Sequence, residues 1–277
     1  MRIIWLVSLY CALLNAVLPI EEAKAHIDAG RYKEAYEPLR QSILMVENPP
    51  IAWRRVLASL CLELNNTKEA IDVFRGIASE EEATESDFMG LFYAYSLLDD
   101  EKNALGVLSA AQAAGKLDKE AGITTYSSML AQSGGAIRAA KLLRRAIDEN
   151  KIAKTAQNHE RLFYAYRQAR EHKEGLRAIR LAIAAKPSER LYSQAAYAAF
   201  ESGEFERAIA AANKAIELNA THADSLRLLI GASAIETKDY MLARSAFAEA
   251  LKSAKYAKRA RNWLDYLDEL TIKQSEK

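Results

Sequence analysis

A short phrase of small and apolar positions returns along this chain at nearly constant spacing. Small residues stand at Ala35, Ala70, Ala104, Ala139, Gly175, Ala208 and Ala243, separated by 35, 34, 35, 36, 33 and 35 residues. Four residues after each comes Leu39, Phe74, Leu108, Leu143, Ile179, Ala212 or Phe247. Three further on stands a small or apolar residue, as at Ala111, Ala146, Ala182, Ala215 and Ala250. Positions so spaced share one face of a helix, so each phrase predicts a helix buried along that face. The remainder of each period holds a second apolar-periodic stretch. The pattern therefore predicts seven helical hairpins and an all-α chain.

Each position in the phrase has a physical role. The small residue lets the two helices of a hairpin cross closely, and the larger apolar residue enters the seam with the next hairpin. An aromatic at Tyr32, Phe205 or Tyr240 is expected to cover the short turn. Pro187 falls where a repeat ends, because proline cannot continue a helix. Ser133-Gly134-Gly135 supplies a turn by another route. Pro38 removes one backbone hydrogen bond early in a second helix. Beyond the seventh phrase, Tyr256 to Leu270 reads as an amphipathic helix with Trp263, Leu264, Leu267 and Leu270 on one face. Lys258, Arg259 and Arg261 are expected on its opposite, solvated face. Terminal repeats need a polar outer surface, so this is a capping helix followed by a frayed tail over 273–277.

The copies Gly30-Arg31-Tyr32-Lys33-Glu34-Ala35, Gly203-Glu204-Phe205-Glu206-Arg207-Ala208 and Lys238-Asp239-Tyr240-Met241-Leu242-Ala243 carry a resemblance. Together with the period of about 34 residues, they resemble the tetratricopeptide repeat, from about residue 19 to about residue 252. The resemblance implies a right-handed α–α superhelix, with seven repeats over 17–252 and the cap over 253–277.

Composition fits that reading. Half of the residues are hydrophobic and 27% charged, with only five prolines and eleven glycines among 277 residues, which favours helices with a buried core over disorder. A net charge of +1 gives no global attraction to nucleic acid. The amino terminus stands apart. Met1-Arg2 is followed by an apolar run from Ile3 to Leu14 and then small residues, the layout of a secretory signal peptide cut after Ala16. Two alternatives stay open, an uncleaved membrane anchor and an ordinary cytosolic start; membrane contact is expected only if this segment is retained. Tyr10 precedes Cys11 where a lipoprotein needs a small residue, and cleavage leaves Cys61 alone.

The sequence contains no G-x-G-x-x-G, P-loop, G-x-S-x-G or H-E-x-x-H motif. His26, His159, His172 and His222 lack spacing suited to a metal, and the glutamates are assigned to exposed helix faces. No catalytic site, metal or cofactor is expected.

In the tetratricopeptide repeat the first helix of each hairpin lines the concave surface. Projecting that phase places Tyr93, Tyr164 and Tyr197 at one equivalent inward position. Met89, Gln157, Glu160, Arg167, Arg190, Phe200 and Leu228 are expected beside them. Tyrosine offers contact area at little rotamer entropy, and Arg167 and Arg190 suit a carboxylate or a peptide backbone, so a protein or peptide partner is expected in the groove. Packing of the tyrosines between neighbouring first helices is the competing reading. The basic-and-asparagine clamp of relatives that bind chaperone tails is absent from these positions.

From about residue 50 to Leu270 the chain is also similar to tetratricopeptide proteins encoded beside TonB–ExbB–ExbD systems of Gram-negative bacteria. The stretches are Leu130-Ala131-Gln132-Ser133-Gly134-Gly135, Ala139-Ala140-Lys141-Leu142-Leu143 and Ile147-Asp148-Glu149-Asn150-Lys151-Ile152, with the ending Ala260 to Glu269. This resemblance implies a periplasmic, non-catalytic scaffold assisting TonB-dependent transport across the outer membrane. An inner-membrane-anchored assembly or quality-control adaptor, and an accessory subunit of a cell-envelope enzyme, stay open beside it.

Overall fold

A computed structural model describes residues 20–275, with side chains to residue 272. The proposed leader and Cys11 lie outside the described residues. Within them the chain is helical, with no strand. The helices are α1 (20–28), α2 (Tyr32–Leu44), α3 (Ile51–Glu63), α4 (Thr67–Ala78), α5 (Glu85–Leu97), α6 (Glu101–Ala113), α7 (Glu120–Gln132) and α8 (Ala136–Asp148). They continue as α9 (Ala156–Gln168), α10 (His172–Ala185), α11 (Glu189–Glu201), α12 (Phe205–Glu217), α13 (Ala223–Glu236), α14 (Tyr240–Leu251) and α15 (Ala257–Ser275). Two compact units divide the chain, residues 1–126 and 127–277. The uninterrupted period of the sequence gives no sign of this division.

The turn inside every hairpin has one construction. After each odd-numbered helix up to α13 comes one residue with positive φ: Gly30, Asn65, Asp99, Gly134, Arg170, Gly203 and Lys238. The following N–H then reaches back to close the helix end. Arg31 donates to the His26 carbonyl at 2.8 Å, Asn66 to Cys61 at 2.7 Å and Asp239 to Ala234 at 2.8 Å, and the other four turns match. This is the left-handed cap that satisfies the last carbonyls of a helix. Only three of the seven use glycine.

The phrase of small and apolar positions is the core. Ala35, Ala70, Ala104, Ala139, Ala208 and Ala243 are at most 1% exposed, and Gly175 is buried with them. The residues four further on, from Leu39 to Phe247, are buried in all seven copies. Helix starts follow local chemistry. Thr84 forms a capping box with Asp87 on α5, the Thr155 hydroxyl accepts from Asn158 N–H at 3.2 Å on α9, and Ser188 accepts from Leu191 N–H at 3.3 Å on α11. Lys186, extended at φ −156° before Pro187, ends α10.

Of the turn aromatics, Tyr32 is 43% exposed and Phe205 packs edge-to-face on Phe200 at 5.6 Å. Two expectations need correction. Arg259 stands one helical turn from Trp263 and lines a cleft with it, not the opposite face of α15. Not every carboxylate is exposed: Asp87 and Glu85 are 2% and 6% exposed. Asp87 accepts from both the Arg55 Nε at 2.8 Å and the Arg55 Nη2 at 2.7 Å. Glu85 accepts the Asp118 and Lys119 N–H groups at 2.7 Å, capping the start of α7. Both therefore join neighbouring hairpins, as buried polar groups must be hydrogen-bonded to persist.

Candidate functional site

In the second unit the first helices α9, α11 and α13 present one side chain each at the position expected to face inward: Tyr164, Tyr197 and Ala232. Tyr164 is 43% and Tyr197 41% exposed, so neither is consumed by packing. Their hydroxyls are nevertheless held. Gln194 Nε2 donates to the Tyr164 hydroxyl oxygen at 2.5 Å and to Glu160 Oε1 at 3.2 Å. The Tyr197 hydroxyl donates to Ser225 Oγ at 3.0 Å, and Ser225 in turn donates to the His222 carbonyl at 2.8 Å. The two rings are held at their tips while both residues stay more than 40% exposed, an arrangement that lowers the ordering cost of binding.

Arg190 grips Glu160 at two points, the Nη2–Oε2 contact being 2.7 Å. The Glu160 side chain is only 12% exposed while Arg190 remains 59% exposed. Burial pushes the Glu160 carboxyl up, but the hydrogen bonds from Arg190 and Gln194 outweigh it and hold the group below the usual carboxylate range. Burial, and then the charge of Glu160, push the Tyr164 phenol up, so it stays protonated. Arg190 thus bridges α11 to α9, so the guanidinium expected to grip a partner's carboxylate already holds one from Glu160. Arg167 is exposed on α9, and its charge acts on Tyr164.

The alanine at the third position changes the surface. Around Ala232 a cleft of about 510 Å³ opens between α11, α13 and α15. Phe200, Ile235, Trp263 and Tyr266 supply its apolar lining, and Glu236, Arg259 and Asn262 its polar edge. Trp263 is fixed by stacking on buried Phe247 at 5.6 Å and 4°, and Tyr266 meets Trp263 edge-on at 5.9 Å.

The remaining predicted residues separate. Phe200 joins the cleft, and Gln157 is exposed on α9. Leu228 is 6% exposed and belongs to the core cluster of Ala234, Phe247 and Leu267, so it does not line the groove. Tyr93, 53% exposed, and half-buried Met89 lie on α5 in the first unit. Gln194, Ser225, Asn262, Trp263 and Tyr266 were not among the predicted groove residues. Their spacing did carry a signal, since Asn262, Trp263 and Tyr266 recur at helical intervals.

No sequence-family model matches the chain, and no curated protein sequence does. Solved structures do match in fold. A tetratricopeptide repeat protein from Parabacteroides merdae is 16% identical, with 92% of this chain and 99% of that one covered and a TM-score of 0.51. The C-terminal part of a TPR repeat-containing protein from Cytophaga hutchinsonii is 17% identical, with 88% and 99% covered and a TM-score of 0.56. The fold is that of the tetratricopeptide repeat. Within this tetratricopeptide fold, no group of three histidine, cysteine or carboxylate side chains is placed to hold a metal among the described residues. His159 is buried, and burial holds its imidazole below the usual histidine range. Cys61 is buried and its thiol is pushed up to about 12, by burial first and then by the charge of Glu69. No helix among the described residues is long and apolar enough to cross a membrane.

Proposed function

We propose that this protein is a non-catalytic scaffold that binds a segment of a partner protein on the first-helix face of its second unit. The observation that carries the reading is the pair of tyrosines, Tyr164 and Tyr197, held by their hydroxyls with rings 43% and 41% exposed. Tyr197 shares α11 with Phe200, which lines an aromatic cleft of about 510 Å³, within the size range of binding pockets. Aromatic anchors dominate interface energies, at roughly 2 kcal/mol each when truncated. Partner side chains enter the cleft, while Arg167 and Asn262 meet the backbone. Tyr93 and Met89 offer a separate contact surface on the first unit.

The apolar run after Arg2 supports export to the periplasm, and the stretches from Leu130 to Ile152 support a place beside a TonB-type transport system. Purification from a Gram-negative host tests the first point: the mature chain should begin at Val17, and a retained Met1 refutes cleavage. Affinity purification from periplasmic extract tests the binding reading, with TonB-system components as the expected partners. Tyr164→Ala with Arg167→Ala should lose most of the captured partner while keeping the wild-type melting temperature. Undiminished capture by a folded double variant refutes the first-helix site.

A further inference from the structure

The opposite layer of the second unit differs in charge. The second helix α8 carries Arg138, Lys141, Arg144 and Arg145 against one acid, Asp148. Next, α10 carries Lys173, Arg177 and Arg180 against Glu174. In the first unit α2, α4 and α6 are each balanced between acid and base. The other second helices of this unit, α12 and α14, are balanced, so the excess positive charge of the layer falls on α8 and α10.

A cleft of about 440 Å³ lies beside this basic pair, between α10 and α12 and floored by α11. Alanines make it. Ala195 and Ala199 of α11 and Ala210 and Ala211 of α12 line it where larger side chains would fill the space. Arg180 stands on one wall, Arg207 and Lys214 on the other, and no carboxylate lines it. Arg207 and Lys214 are separated by two helical turns, about 10.5 Å along α12. Their ion pairs with Glu204 and Glu217 are local, with Arg207 61% and Lys214 50% exposed. Such surface pairs are weak and exchange readily for a better-placed anion.

From this geometry we infer that the α10–α12 cleft is a second interaction site, which takes an acidic amphipathic helix of a protein partner. An apolar helix face fits the cleft because its alanine floor allows close approach. Glutamates flanking that face at i and i+7 match Arg207 and Lys214, and a third meets Arg180. Cations spread over two walls suit a row of carboxylates better than one headgroup.

The experiment uses a fluorescein-labelled 18-residue helical peptide, leucine along one face and glutamate on its flanks, titrated against the full mature chain. Its lysine-for-glutamate counterpart and phosphatidylglycerol vesicles serve as competing probes. The acidic peptide should bind at least ten-fold more tightly than the basic one. Arg180→Glu with Lys214→Glu should reverse that preference, and Ala210→Phe, at an exposed position that fills the cleft, should weaken binding at least ten-fold. Tyr164→Ala with Arg167→Ala should leave it unchanged, which separates this site from the first-helix face. Equal binding of both peptides, wild-type binding by the cleft-filled variant, or retention on vesicles without binding of the acidic peptide would each overturn the assignment.

Discussion

The same substitution, glycine to alanine, should have opposite signs at two positions of the second unit. Gly175 takes the place of alanine at the small position of α10. A methyl there would meet Phe163 Cδ2 at 3.6 Å, Tyr166 Cβ at 3.7 Å and Arg167 N at 3.8 Å, which is ordinary contact. Gly175→Ala should therefore stabilise by about 1 kcal/mol, from helix propensity and from burial of one methyl. Gly231 is different. A methyl there would lie 2.4 Å from Phe247 Cε1 and 2.6 Å from Cζ. Phe247 cannot retreat, because it is fully buried with Trp263 stacked on it at 5.6 Å. Overpacking costs about 1–3 kcal/mol, against a propensity gain of about 1 kcal/mol, so Gly231→Ala should lose stability. Thermal melts followed by circular dichroism should move up by about 2–4 °C for Gly175→Ala. They should move down for Gly231→Ala. A melting point for Gly175→Ala at or below wild type, with Gly231→Ala unchanged, refutes the assigned repeat phase.

Two further outcomes follow from the turns and the buried ion pair. Arg170 and Lys238 hold positive φ at +59° and +62°, where a side chain costs about 1–2 kcal/mol, so Arg170→Gly and Lys238→Gly should each raise the urea midpoint. Burial alone would raise the Asp87 carboxyl, but Arg55 and Thr84 together hold it below its ordinary range. Its contribution is then fully present above about pH 4 and lost as pH falls below that value. Asp87→Asn should give a lower melting temperature at pH 7 and a flatter decline between pH 5 and 2, which parallel melts across that range check.

The hairpins were legible because their cause is local. A small residue with apolar partners four and seven positions on marks a buried helix face, and all seven copies are buried. The turns were half legible: Gly30, Gly134 and Gly203 announce left-handed backbone, whereas Arg170 and Lys238 adopt it only because the hairpin demands it. The candidate site was less legible because its contacts span repeats. Glu160 and Arg190 lie 30 residues apart, and nothing local in either helix indicates that the arginine is engaged. Leu228 shows the limit of projecting a helix phase, since a small rotation carries a groove position into the core.

The second unit's features gather where the phase persists and the residue changes. Tyr164 and Tyr197 repeat at one position, and Ala232 follows them there. The missing ring leaves the space that Phe200, Trp263 and Tyr266 surround. On the other layer, Ala212 takes the place held elsewhere by leucine, isoleucine or phenylalanine, in a helix whose neighbouring Ala210 and Ala211 border the α10–α12 cleft. A solenoid needs only enough apolar contact to join adjacent hairpins, so it tolerates such deletions of side-chain volume. Each deletion turns part of the packing surface into a recess without moving the backbone. The recesses flanking α11 are therefore where this chain departs from a plain repeat array, and where its partner specificity should be sought by mutation.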